Sequence, residues 1–154
     1  MNLITPAPRH RVAYRRFLRE FHRAGETDIH GLYVKPRSYR EFLRNHAVRK
    51  YFLMKEDQRK ILGVVAFYDL DKEERRLDGD IAYSIAPSAR GKGLGEKQLA
   101  LALALCRDNG RKRVCIACRE ENTASVKIIL ACGGELTEEF WHKGVRRQVY
   151  WVTL

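Results

Sequence analysis

Residues 81–105, IAYSIAPSARGKGLGEKQLALALAL, read as a strand, a loop and a helix in succession. Ile81, Tyr83 and Ile85 alternate with Ala82, Ser84 and Ala86, the period of two of an extended strand. Pro87 and Ser88 stop it, because proline brings no amide donor to a ladder. From Leu94 a run rich in alanine and leucine continues without proline to Gly110, which specifies a long helix. Between the two lies Arg90-Gly91-Lys92-Gly93-Leu94-Gly95. A helix start leaves about four backbone N–H groups unpaired and carries roughly half a positive charge. Glycines let the backbone take positive φ and let a ligand touch it. Arg90 and Lys92 add full charges, so the turn is a cradle for a phosphate-like anion. The plain alternative is a tight turn that binds nothing, but three glycines alternating with two cations exceed what a turn needs.

The spacing excludes two familiar phosphate loops. The nucleotide-hydrolase loop G-x-x-x-x-G-K-[ST] needs a hydroxyl residue that is absent, and Gly91, Gly93 and Gly95 give G-x-G-x-G where a dinucleotide fingerprint needs G-x-G-x-x-G. What fits is R-x-x-G-x-G, met by Arg90, Gly93 and Gly95. After a strand that ends near a proline and before a long helix, this stretch resembles the acetyl-CoA-binding motif of the GNAT superfamily of N-acetyltransferases. The resemblance implies that acetyl-CoA is held by the backbone of Ile85 and Ala86 and by the loop Arg90, Gly91, Lys92, Gly93, Leu94 and Gly95.

Composition bounds the rest. The 154 residues suit one domain, 1–154, and 45% hydrophobic content makes it globular. No stretch approaches the ~18 apolar residues of a membrane span. The start, MNLITPAPRHR, lacks the apolar core of a secretory signal, which points to the cytoplasm. Cys106, Cys115, Cys118 and Cys132 are then expected as reduced thiols. Cys115-x-x-Cys118 is half a zinc site, but no second pair completes it, so no metal is expected. The formal charge is +11, from 30 Lys+Arg against 19 Asp+Glu, and attracts polyanions such as CoA. Charge alone would also allow nucleic acid, but no aromatic recognition strand or zinc-finger spacing supports that.

Working outward, Tyr14, Phe17, Leu18 and Phe21 mark the buried face of a helix from about Val12 to Ala24, with Arg11, Arg15, Arg16, Arg19 and Arg23 as its solvated side. Ser38-Tyr39-Arg40-Glu41 fits a capping box opening a second helix, with Phe42 and Leu43 inward. Strands follow at Lys50 to Lys55 and Ile61 to Leu70, the latter apolar throughout as in a central strand. Asp71 to Gly79 is a charged connection. Beyond Asn109-Gly110 come a short strand around Val114, Ile116 and Ala117, a helix from Glu121 to Leu130, and strands Leu136 to Trp141 and Val145 to Leu154. A parallel crossover joins the strand ending at Ile85 to that at Val114. The expected order is strand, helix, helix, three strands, helix, strand, helix, two strands, which is similar to the GNAT order. The fold class is therefore α/β (α+β): a mixed, mostly antiparallel sheet, its parallel pair splayed at the acetyl-CoA site, flanked by about four helices.

The resemblance extends to Asn122 and Ser125, which meet the N-x-x-[SA] that GNAT members often carry after the fifth strand. It implies that Asn122 lies beside the pantetheine and that Ser125 contacts CoA; read alone, Asn122 is also a helix cap. In the implied reaction an amine attacks the thioester, and a backbone N–H near Ile85 meets the developing oxyanion. Many GNAT enzymes place a tyrosine acid seven residues after that asparagine, where this chain has Ile129. The leaving thiolate is left with Ser125, Tyr150 or water as proton donor. Asp80 or Asp78 is the candidate base, against the plain alternative of a solvated loop carboxylate; Asp80 stands about 16 Å from Ile85 on an extended strand, which favours a water chain. His30, Tyr33 and Tyr39 are candidates to line the acceptor side, and His142 sits at a late turn. The function implied is acetyl transfer to a primary amine, on a small molecule or a peptide, by a monomer or homodimer. The rival is a non-catalytic acyl-CoA-binding or basic nucleic-acid-binding module.

Overall fold

The computed structural model describes residues 1–32, 38–46, 48–68 and 72–154. Seven strands and five α-helices appear among them: β1 Asn2–Ile4, α1 Arg11–Arg23, α2 Tyr39–Arg44, β2 Arg49–Met54, β3 Ile61–Phe67, α3 Lys72–Asp78, β4 Ile81–Ile85, α4 Leu94–Asp108, β5 Arg113–Arg119, α5 Thr123–Ala131, β6 Gly134–His142 and β7 Val145–Thr153. The expected order holds, with α3 added. Lys72 to Asp78 has one apolar side chain, Leu77, so no period announces a helix. Its tether comes from elsewhere: Arg76 bonds Glu138 and lies over the Phe140 ring, 3.8 Å from its centroid. The strand expected over Ile61 to Leu70 ends at Phe67; Asp69 and Leu70 lie outside the described residues.

The strands form two antiparallel sheets, ordered β1-β2-β3-β4 and β5-β7-β6. β3 is the central strand and is buried throughout. Its alternation serves two cores. Val64 packs with Tyr14, Phe17 and Phe21 of α1 and Phe42 of α2. Val65 and Phe67 pack with Leu99, Ala102, Leu103 and Cys106, the stripe that the 3.6-residue period of α4 presents. The five arginines of α1 face solvent. No helix among the described residues is long and apolar enough to cross a membrane.

The parallel pair expected to splay is β4 and β5, and the two ladders meet there. The two strands touch at their starts and run apart. Asp80 makes the joint: its N–H donates to Cys115 O at 2.7 Å, and its Oδ2 accepts from Cys115 N–H at 2.9 Å. Oδ1 accepts from Arg75 Nε at 2.8 Å, and Arg111 lies 3.5 Å from Oδ2. Asp80 is 3% exposed. This is the residue expected as the base. The carboxylate is occupied by a buried clamp and lines neither of the cavities described below. Replacing Asp80 with alanine should strand two arginines and a buried N–H, costing about 3 kcal/mol. A thermal melt should show a fall of about 6–12 °C. A wild-type melting temperature would remove the clamp from the account of the joint.

Candidate active site

Beyond the joint, β4 and β5 are the facing edges of the two sheets. In an antiparallel ladder alternate residues bond the neighbour. Ala86 N–H donates to Leu62 O at 2.8 Å, and Ser84 stands opposite Val64. Ala82, Ser84 and Ala86 therefore turn their backbone groups to β3, and Tyr83 and Ile85 turn theirs to the open edge. Arg90 Nε donates to Ile85 O there, at 3.1 Å. The Ile85 N–H is left on the same edge, where the sequence places the oxyanion donor.

Two cavities occupy the gap. The larger, about 630 Å³, runs along Tyr83, Ser84 and Ile85 to the glycine loop and the start of α5. The smaller, about 370 Å³, lies between Ile81–Tyr83 and Ile116–Arg119. Five residues line both: Asp28, His30, Tyr83, Asn122 and Ser125.

The loop has the form an anion needs. Gly93 caps α4 at φ +68°, a left-handed conformation that favours glycine, and a Cβ there would meet nothing within 4 Å. The first turn of α4, whose N–H groups helix geometry leaves unpaired, borders the larger cavity. At Gly95 the constraint is packing, since a Cβ would come 2.4 Å from Ile128 Cδ1, so α4 and α5 approach closely only over glycine. The cationic part of the expectation changes. Arg90 is paired to Glu26 through two bonds of 2.6 and 2.7 Å, which hold the Glu26 carboxyl below the usual carboxylate range. Its guanidinium straps the end of β4. Lys92 Nζ donates to Ser88 O at 3.0 Å, and Lys127 of α5 lines the groove.

Asn122 is both cap and wall: its Oδ1 accepts from Ser125 N–H at 3.1 Å, and it borders both cavities. Ser125 Oγ lies 3.0 Å from Tyr83 OH. Ile129 is fully buried in the core.

The chain matches the acetyltransferase (GNAT) domain family over residues 5–135. It belongs to the GNAT acetyltransferases. Solved structures of like fold include RimL, a ribosomal L7/L12 alpha-N-protein acetyltransferase in complex with coenzyme A (16% identity, 99% of this chain and 93% of that one, TM-score 0.71). Another is the microcin C7 self-immunity acetyltransferase MccE in complex with acetyl-CoA and AMP (19%, 99% and 91%, TM-score 0.68). A third is a chimera of spermidine N-acetyltransferase SpeG from Vibrio cholerae and hSSAT (16%, 99% and 96%, TM-score 0.67). No curated protein matches the chain.

Tyr150 and Tyr39, two of the site candidates of this acetyltransferase, lie away from both cavities. Tyr150 is 2% exposed, donates to Gln148 Oε1 at 2.8 Å and lines neither cavity. Tyr39 is a core residue stacked on Phe42, its hydroxyl donating to Ala7 O at 2.7 Å; burial pushes its pKa up to about 12. Tyr33 lies outside the described residues. Asp78 borders the smaller cavity, and His142 closes β6 at the hairpin. Cys115 is buried in β5 and pushed up to about 12 by that burial, with the Asp80 charge adding to it. The residue missed by sequence reasoning is Tyr83. Its alternation with Ala82 and Ser84 marked it as one side of a strand, and nothing local says that the neighbouring edge is open.

Proposed function

We propose that this acetyltransferase moves the acetyl group of acetyl-CoA onto a primary amine, with the donor in the larger cavity and the acceptor in the smaller one. The observation that carries this is the junction where Tyr83, Ser125, Asn122, Asp28 and His30 line both. The cradle fits the donor: Gly93 leaves room, the N-terminus of α4 offers N–H donors, and Lys127 in the cavity wall adds positive charge near a pyrophosphate. Bound there, the thioester supplies an activated acetyl group.

The chain's own groups then have separable roles. The Ile85 N–H faces the acetyl oxygen and stabilises charge on it. Burial raises the Tyr83 pKa, so its phenol stays protonated and can give a hydrogen bond or a proton to the departing sulfur, with Ser125 Oγ relaying. His30 and Asp28 line the junction, where the amine's proton must leave, and either can accept it. Much of the acceleration comes from holding the two substrates at one point. The setting taken is cytoplasmic, where acetyl-CoA and reduced thiols coexist.

The test is a thiol-release screen of amines with purified protein and acetyl-CoA. Amine-dependent release of CoA thiol is the expected result. CoA binding without release for any primary amine would replace the enzyme with an acyl-CoA-binding module. Binding that falls steeply with salt across many nucleic-acid sequences would favour the basic-module alternative.

A further inference from the structure

The smaller cavity carries a charge arrangement that a bare amine leaves unexplained. Arg119 and Arg147 both line it, and the β5–β7 register sets them directly opposite each other. Like charges so placed repel. Nearby carboxylates relieve them only in part. Arg119 lies 3.5 Å from Glu121 with both side chains at least half exposed. Arg147 lies 3.9 Å from Asp78, whose side chain is 68% exposed. Exposed pairs at such separations contribute little. Arg147 itself is 18% exposed and donates to Leu77 O, while its Nε is buried with no partner among the described residues. Arg147 therefore brings to the cavity wall a guanidinium charge that, among the described residues, only a distant, exposed carboxylate meets, which suits it to take an acceptor group. Toward the transfer point the lining changes to Asp28 and His30.

Given the acetyltransferase function proposed above, we infer that the acceptor is a small zwitterion. It is a primary amine bearing a carboxylate or phosphate, its anion between Arg119 and Arg147 and its amine toward Asp28 and His30. A cavity of about 370 Å³ is at the small end of ligand sites. Two arginines against Asp28 and Asp78 balance a molecule of both signs, whereas a polycation would meet repulsion at the arginine end. In the reaction the N–C bond to the acetyl carbon forms as C–S breaks; the amine loses one proton and the sulfur gains one.

The experiment compares kcat/KM for β-alanine, phosphoethanolamine, L-amino acids and their amides, propylamine and spermidine, with CoA titrated in parallel. An anionic amine should exceed its neutral counterpart and spermidine by at least ~10-fold, the scale of one charged hydrogen-bond pair. Whether carboxylate or phosphate leads identifies the anion. Arg147→Gln should raise KM for the anionic amine with kcat little changed, and Arg147→Lys should restore part of it. Arg119→Gln, at an exposed position, should erode the same preference without risk to folding. Propylamine or spermidine equalling the anionic amines, or the preference surviving both glutamine variants, overturns the inference. Absence of CoA binding to the wild-type protein would instead overturn the donor assignment.

Discussion

Replacing Gly93 with aspartate should abolish CoA binding in a chain that still folds. The backbone there is left-handed at φ +68°, a region that aspartate enters more readily than most residues, and the new side chain would enter open space. Aspartate is also among the best N-cap residues, because its carboxylate accepts the first N–H groups of a helix. That advantage is the reason for the loss: the introduced carboxylate takes the donors meant for a pyrophosphate and adds negative charge beside it. Removing two charged hydrogen bonds of about 1.5–3 kcal/mol each predicts an affinity at least ~100-fold weaker. Calorimetric titration with CoA, beside a thermal melt, measures both halves of the claim. Unchanged affinity in the folded variant would detach this loop from donor binding.

Tyr83→Phe should lower turnover by about 10²–10³-fold while CoA affinity stays near wild type, since one general acid commonly contributes ~10²–10⁴. The change removes only the hydroxyl that meets Ser125 Oγ at 3.0 Å at the point common to both cavities. Ser125→Ala should cost less, because the phenol remains. Tyr150→Phe should leave turnover within a few fold, its hydroxyl being committed to Gln148. The pH profile gives a second readout. Burial raises the Tyr83 pKa, so the acid form persists to higher pH than for a free phenol of about 10. The wild-type rate should not fall through Tyr83 ionisation between about pH 8 and 10. Wild-type turnover by the phenylalanine variant would reduce Tyr83 to a wall of the cavity.

Asp80 and Arg90 take partners from segments that lie outside the strand–loop–helix motif. Asp80 stands just before β4, where a family-based expectation puts a base, yet Arg75, Arg111 and the Cys115 N–H consume its oxygens. Arg90 opens the phosphate motif, yet Glu26, 64 residues away, takes its guanidinium. Both side chains act on geometry: Asp80 joins β4 and β5 where they part, and Arg90 fixes the end of β4 beside the larger cavity.

The sequence by itself determined the strand–loop–helix of residues 81–105, both long helices, the central place of β3 and the order of elements, because these follow from short-range periodicity, helix propensity and turn chemistry. Only the tertiary structure decided that Asp80 clamps the point where the sheet parts, that Tyr83 rather than Tyr150 reaches the junction, and that Arg119 opposes Arg147. Each depends on pairings between residues far apart in the chain. Tyr83 meets Ser125 across 42 positions, and the Arg119–Arg147 pair exists only in the β5–β7 register. A local pattern states which residues face a core; what a polar side chain bonds depends on the partners that packing delivers.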